Sequence, residues 1–289
     1  MADIAEPIRF GFLAEKVETV FTHGSIVLVS DFDQTAKAVS RSLHKNGYLY
    51  PPIVRTVEIE LGTEKARTVP KTKRPAHLYQ IPTSHVLHLI LPKSEADVRE
   101  ESAAFIVYLL ALIFETRLQF ENWFIDGRIP IRPGANPLRN YSAILGNQLS
   151  LAYKIWSEWK RPEQTRFLNI LYMFSRAEVY EWDWERFLFQ YMILDACWKM
   201  GKVLFNFKAK RHEDRVLELY GRVGVIGLTL HEVKALATLR NNLFHEVSWH
   251  GGRPGHIGLF DHTLPFDSGV VLEGLNRQVI RSFLQLPQA

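Results

Sequence analysis

Residues Thr229 to Glu246 read TLHEVKALATLRNNLFHE, and this stretch predicts an amphipathic helix close to the C-terminal end of the chain. Thr229 is a suitable N-cap, and Glu232 completes a Thr-x-x-Glu capping box. At about 100° per residue the apolar side chains fall within one arc roughly half of the circumference wide. They are Leu230, Val233, Leu236, Ala237, Leu239, Leu243 and Phe244. The segment therefore predicts a helix that packs one face against a larger helical body.

Three polar side chains near the end of this helix are the first candidates for a site. Arg240 falls in the middle of the apolar arc, where an unpaired buried charge costs several kcal/mol. Asn241 and His245 are four residues apart and share a face at the edge of the arc. The helix thus brings a guanidinium, an amide and an imidazole together, and Arg240 needs a partner.

A structural role is the alternative interpretation of the same residues. Arg240 would then pair with a buried carboxylate, and His245 would interact with the dipole at the helix end. The candidate carboxylate is Asp195, inside the mostly apolar stretch 187–198 of the helix predicted at residues 182–207. Lys199 and Lys202, four and seven residues further on, are competing local partners for Asp195.

The pattern Arg-Asn-x-x-x-His, late in a predicted helical bundle, resembles the signature of HEPN domains and is nearest to their ApeA-like branch. Arg-x4-His occurs once in the chain, and this occurrence carries the Asn. The resemblance covers about residues 163–285. It implies metal-independent RNA cleavage, in which the ribose 2′-hydroxyl attacks the adjacent phosphate, with no cofactor. Arg240 would hold the phosphate oxygens, His245 would transfer a proton and Asn241 would orient either group.

The resemblance also implies partners. In the family two protomers usually pair so that both motifs line one cleft, so RNA and a second copy of the chain are expected partners. HEPN-like domains often carry an acidic residue near the position of Asp195, which makes Asp195 a supporting candidate. By family association the activity would serve antiviral defence or stress responses. A non-catalytic HEPN-like module for dimerisation or RNA binding is the alternative function.

The rest of the chain predicts an α+β fold. Residues 1–92 are strand-rich, with runs at Ser25–Val29, Ile53–Leu61 and His85–Leu91 and a short helix at residues 33–45. The segment Ser94-Glu-Ala-Asp97 resembles a capping box and predicts a long helix to about Phe120. Further helices are predicted at residues 141–160, 163–176, 182–207, 212–222, 229–246 and 271–285.

These elements divide into three predicted parts. Residues 1–120 form a mixed α/β N-terminal region with a long connecting helix. Residues 121–162 are a linker and a connector helix, and residues 163–289 are the all-helical HEPN-like domain. We expect the first part to sense, recruit or regulate through an unknown ligand or protein partner, and the last to carry the chemistry.

Basic residues outside the motif are weaker candidates for RNA contact. His250 and Arg253 lie in a Gly- and Pro-rich segment just after His245. Lys71, Lys73 and Arg74 belong to a run with five basic residues in ten. Such side chains can contact a phosphate backbone, but a solvated loop is the commoner explanation for both stretches.

Composition narrows the classes of protein that remain. The net charge of +4 permits binding of a polyanion without requiring it. The single cysteine, Cys197, excludes an internal disulfide framework and favours a reducing compartment, so we expect a cytoplasmic protein. The longest uncharged run, Ser102–Phe114, is too short to span a membrane. His250, His256 and His262 are too widely spaced for a typical zinc site, so no metal is expected.

Overall fold

The computed structural model describes residues 7–49, 57–59, 62, 66–68, 79–80, 82–90, 101–121, 124–125, 128–131, 142–177, 179–180, 182–224, 228–254 and 267–287. In these ranges strands occur up to residue 130 and six helices follow, so the predicted α+β class is confirmed. The strands are β1 (Ile8–Gly11), β2 (Thr19–Phe21), β3 (Gly24–Leu28), β4 (Tyr48–Leu49), β5 (Val57–Ile59), β6 (Ala66–Thr68), β7 (Tyr79–Gln80), β8 (His85–Leu89), β9 (Gln119–Phe120), β10 (Phe124–Ile125) and β11 (Ile129–Pro130). The helices are α1 (Phe32–Ser42), α2 (Ser102–Ile113), α3 (Ser142–Ser157), α4 (Arg161–Ala177), α5 (Asp183–Phe205), α6 (His212–Val223), α7 (Leu230–Glu246) and α8 (Ser268–Phe283).

Five strands form an antiparallel sheet in the order β2-β3-β8-β1-β9. Its centre follows the alternation that the sequence predicts, because His85, Leu87 and Leu89 of β8 are buried while the residues between them are half-buried. The predicted strands at Ser25–Val29 and His85–Leu91 correspond to β3 and β8, and the predicted helix at residues 33–45 corresponds to α1. Of the run Ile53–Leu61, residues 57–59 form β5, and the others lie outside the described residues.

The helix α2 is buried on every side, since each of its twelve residues is buried. The prediction that this helix continues to about Phe120 is wrong. It ends at Ile113 because Glu115 adopts a left-handed conformation with φ 49°, and the Thr116 N–H then bonds back to the Ala111 carbonyl at 3.1 Å. Gln119 and Phe120 instead pair with β1 as β9. The predicted start at Ser94 lies outside the described residues.

The C-terminal helices match the predicted ones closely. Thr229 and Glu232 form the predicted capping box of α7. The helix α5 contacts α4, α6 and α8, while α6 also contacts α7 and α8. One buried apolar cluster extends from Phe10 in β1 to Leu286 after α8 and includes α2. Trp156 belongs to this cluster and Trp159 packs against it.

In the part of the chain that the structure describes, no helix is long and apolar enough to cross a bilayer. The core helix α2 is the most apolar of them, but at twelve residues it is too short, and its burial inside the protein accounts for its composition.

Candidate functional site

The last turn of α7 carries the predicted site. The helix ends at Glu246, because the next residue, Val247, has a left-handed conformation with φ 52°. The Val247 and Ser248 N–H groups both bond to the Asn242 carbonyl. A β-branched residue is rare in this conformation, in which glycine is usual. The end of the helix therefore leaves His245 exposed in the last turn, next to the half-buried Arg240.

Arg240, Asn241 and His245 lie together, as predicted. The Arg240 Nη1 atom donates to Asn241 Oδ1 at 2.9 Å and lies 3.5 Å from His245 Nε2. Because a guanidinium can only donate hydrogen bonds, Nε2 is the acceptor in this contact and Nδ1 carries the proton of a neutral ring. Asn241 and His245 are exposed, and Arg240 is half-buried. The three groups therefore form one small constellation that solvent can reach.

The apolar arc of α7 is shorter than predicted. Five of the seven predicted residues are buried, but Leu230 and Phe244, near its two ends, are 52% and 43% exposed. The Arg240 guanidinium stacks over the Phe244 ring, with Cζ 4.5 Å from the ring centroid. A cation above an aromatic face is favourable by about 0.5–1 kcal/mol at an exposed site. Phe244 thus supports Arg240 at the surface instead of packing into the core.

Asp195 does not pair with Arg240. Its Oδ1 lies 3.7 Å from His212 Nδ1 and 3.6 Å from Arg215 Nη1, both on α6. Neither predicted local partner forms a salt bridge with Asp195 in the described part of the chain: Lys202 lies over the Trp198 ring, and Lys199 lines the same cavity as Asp195. Within the described residues no carboxylate forms a salt bridge with Arg240. The geometry thus differs from the structural role considered for this arginine.

The Asp195 cluster nevertheless lies in the electric field of Arg240. Burial lowers the pKa of His212, the Asp195 carboxylate opposes this change, and the positive charges of Arg240 and Arg215 add to it. Burial raises the pKa of Tyr191, and Asp195 adds to that rise while Arg240 opposes it. The positive charge of Arg240 thus favours the neutral form of His212 and opposes the rise in the pKa of Tyr191.

Several buried polar atoms around this point lack a hydrogen-bond partner within the described residues. They are Tyr191 Oη, Asp195 Oδ1, His212 Nδ1, Arg215 Nε and Arg240 Nε. Buried polar atoms in folded proteins nearly always have a partner, so a group of them calls for a ligand or ordered water. Sequence reasoning missed His212, Arg215 and Tyr191. The signal available was weak: His212 and Arg215 are three apart on one face of α6.

Two cavities flank α7. The first, about 390 Å³, is bordered by α4, α5 and Phe244 of α7. The second, about 570 Å³, lies along the opposite side of α7 and is lined by His231, Lys234, Ala235, Thr238, Leu239, Asn242, His250 and Gly251. The predicted RNA-contact residue His250 thus faces the second cavity, on the side of α7 away from Phe244.

Arg253 is the other candidate for RNA contact whose position is described. Arg253 is exposed in the turn after α7, where Trp249 and Gly252 exchange backbone hydrogen bonds. Lys71, Lys73 and Arg74 lie outside the described residues, as do His256 and His262. Among the residues whose positions are described, no group of three or more His, Cys, Asp or Glu side chains could hold a metal ion. Cys197 is fully buried, and burial raises the pKa of its thiol.

Comparisons of the whole chain with models of protein families, with curated proteins and with solved structures gave no match.

Proposed function

We propose that the chain is a metal-independent endoribonuclease of HEPN type, with Arg240, Asn241 and His245 as its catalytic residues. The observation that carries the proposal is the contact of one accessible guanidinium with an amide and an imidazole. Arg240 forms no salt bridge with a carboxylate in the described part of the chain, so its charge is available to a phosphate. An arginine that can bind a phosphate, beside a histidine that can transfer a proton, is the combination that phosphodiester cleavage needs.

In this reaction the 2′-hydroxyl loses its proton, its oxygen forms a bond to phosphorus, and the bond from phosphorus to the 5′-oxygen of the next nucleotide breaks. That leaving oxygen takes up a proton, so the products are a 2′,3′-cyclic phosphate and a 5′-hydroxyl. His245 transfers the proton at one of these two steps. Arg240 donates to the non-bridging oxygens, where negative charge accumulates in the transition state. Asn241 holds the guanidinium in place through its 2.9 Å hydrogen bond.

The test is cleavage of structured and unstructured RNA in the presence of EDTA. Wild type is expected to cleave, and Arg240→Ala and His245→Ala are each expected to lose 100-fold or more, because one transition-state donor supplies roughly 10²–10³ in rate. Arg222→Ala is the matched control, because Arg222 also stacks on a phenylalanine, Phe205, at 4.8 Å, but on α6. Products ending in 2′,3′-cyclic phosphate would identify the reaction.

The alternative is a non-catalytic module with the same fold. RNA that is bound but left intact by well-folded wild type would favour this alternative. RNA that is neither bound nor cleaved would reject both. The exposed Met192 and Phe244, 47% and 43% accessible, lie near the site and suit contact with another molecule. We also propose that two copies of the chain pair and that the protein acts in the cytosol. Light scattering at several protein concentrations tests whether two copies pair.

A further inference from the structure

The cavity bordered by α4, α5 and Phe244 has the character of a small-molecule pocket. Its volume of about 390 Å³ is within the range of roughly 300–1,000 Å³ that such pockets occupy. Its walls are mostly apolar, with Ile170, Met173, Ile193 and Ala196 among them. Five of the eleven lining residues carry polar side chains, and the two cations among them are Arg166 and Lys199.

The cavity shares one residue, Phe244, with the surroundings of the candidate site. Phe244 lines it and also carries the Arg240 guanidinium on its ring. Tyr191 and Asp195 line it as well, and Arg240 influences the ionisation of Tyr191. A group bound in the cavity would therefore lie one side chain away from the phosphate that we place on Arg240.

Unpartnered polar atoms indicate a ligand with its own donors. Tyr191 is 1% exposed, lines the cavity, and its hydroxyl has no hydrogen-bond partner within the described residues. Asp195 Oδ1 also lacks a hydrogen bond there, and its salt-bridge contacts are long, at 3.6 and 3.7 Å. A purely apolar ligand would leave both atoms without a hydrogen-bond partner, which is unfavourable for buried polar groups.

Charge and shape favour a nucleotide over other polar ligands. The exposed ring of Phe244 and the side chain of Met192 offer flat apolar surface to a base. Asn169 on the cavity wall can both donate to and accept from a base edge. Arg166 and Lys199 place two positive charges there, and these suit a flanking phosphate.

We propose that this cavity is a nucleobase pocket that selects the nucleotide next to the phosphate held by Arg240. The base would lie against Phe244 and Met192, and Tyr191, Asp195 and Asn169 would bind its polar edge or the ribose. This inference rests on the proposed function for its choice of RNA as the ligand, but the pocket can be tested without any cleavage.

The test is calorimetric titration of the full-length protein with the four ribonucleoside 3′-monophosphates, and with ribose 5-phosphate as the probe without a base. Stacking is worth about 1–3 kcal/mol per base, so at least one nucleotide is expected to bind 10-fold or more tightly than ribose 5-phosphate. Ala196→Trp fills the cavity and should reduce nucleotide binding to the level of ribose 5-phosphate. Ala235→Trp, in the cavity on the opposite side of α7, is the matched control and should keep the difference.

A second variant keeps the pocket testable if Ala196→Trp does not fold. Met192 is 47% exposed, so Met192→Ala leaves the core intact and should weaken nucleotide binding several-fold without changing ribose 5-phosphate binding. Nucleotides that bind no better than ribose 5-phosphate would overturn the pocket, even if RNA is cleaved. Unchanged nucleotide binding in Met192→Ala or in folded Ala196→Trp would overturn it too. A base preference lost in these variants, with no cleavage by wild type, would uphold the pocket and reject the nuclease.

Discussion

Arg240 shows how a charged residue is tolerated in the middle of an apolar helix face. The buried residues of α7 surround it, yet its guanidinium leaves the core, stacks over Phe244 and bonds to Asn241. The aliphatic part of the side chain covers apolar surface while the charged end stays at the surface. Its energetic cost is therefore much smaller than that of a fully buried charge, and the arginine is not needed for folding.

Arg240→Lys separates function from stability. A lysine keeps the positive charge but lacks the planar fork of donors, so we expect RNA cleavage to fall by about 100-fold. We expect the free energy of unfolding in urea to change by less than about 1 kcal/mol, because only an exposed cation–π contact and one hydrogen bond are altered. Arg222→Lys, which alters a similar stack on Phe205, is the control and should retain activity. Full activity of Arg240→Lys would contradict a bidentate role.

His85 makes a second prediction at the level of a single residue. It is fully buried in β8, its Nδ1 lies 2.8 Å from Ser84 Oγ, and its Nε2 accepts the Val17 N–H at 3.4 Å. Burial lowers the pKa of His85 from 6.5 to about 4. Between those two values the unfolded chain binds a proton that the folded protein does not. The stability contributed by neutral His85 is thus fully present above pH 6.5 and is lost as the pH falls toward 4.

We therefore expect wild type to lose up to about 3 kcal/mol more than His85→Gln between pH 7 and pH 4, since one pKa unit corresponds to about 1.4 kcal/mol. Urea unfolding at a series of pH values measures this difference. His88→Gln is the matched control, because His88 lies on the opposite face of the same strand. Equal pH slopes for wild type and His85→Gln would show that His85 is not held neutral.

Among the elements, the connection between α5 and α6 determines where His212 and Arg215 lie. Glu218 of α6 accepts hydrogen bonds from the backbone N–H groups of Lys208 and Ala209, at 2.8 and 3.0 Å, and from Trp198 Nε1 at 3.1 Å. Burial acts to raise the pKa of Glu218, but these three hydrogen bonds outweigh it and lower the pKa. The Glu218 carboxylate on α6 thus binds both the loop between α5 and α6 and Trp198 of α5.

Glu218→Ala is expected to destabilise the protein by about 2 kcal/mol, the order found for hydrogen bonds to a charged group at a partly exposed site. The loss should be largest at neutral pH and should shrink in acid, where the native carboxyl is protonated. Glu213→Ala on the same helix removes an ion pair to the exposed Arg211 and should destabilise the protein less than Glu218→Ala does. Thermal unfolding of both variants distinguishes the two roles.

The elements also show what the sequence could predict. The long C-terminal helices were predicted almost to the residue because their apolar period and their caps are local signals. The strands β1, β2 and β9 were missed, since strands this short are stabilised by pairing with distant segments. The end of α2 depends on one left-handed residue, Glu115, which no local pattern marks.

The residues of the candidate site also differ in whether the sequence could predict their proximity. Arg240, Asn241 and His245 lie on one helix, so their spacing predicts their proximity. Tyr191, His212 and Arg215 come from α5 and α6, and only the packing of those helices brings them near Arg240. The actual partners of Asp195 could not be predicted for the same reason, because they lie on the next helix and not on its own.

At the scale of the whole molecule, the sheet and the helices share one buried core across the predicted boundary between residues 120 and 163. The helix α3, which was predicted as the connector helix in residues 121–162, packs directly against β2. Thr19 Oγ1 donates to the Ser142 carbonyl at 2.6 Å, and the Thr22 N–H donates to Ser150 Oγ at 3.0 Å. Gly146 allows this close approach, because a Cβ there would lie 2.3 Å from the Val20 carbonyl oxygen.

Gly146→Ala should therefore separate α3 from the sheet. Helix propensity alone favours alanine by about 1 kcal/mol, but the obstacle is backbone that cannot rotate away, so we expect a net loss of about 3 kcal/mol. Gly274→Ala is the control, because Gly274 lies in α8 with no atom within 4 Å of an added Cβ, and it should gain up to about 1 kcal/mol. Urea unfolding, followed by fluorescence and by circular dichroism, measures the change in stability of both variants. If the shared core couples sheet and helices, the two signals of Gly146→Ala will shift together. A shift confined to one signal would mean that the sheet and the helical body unfold separately.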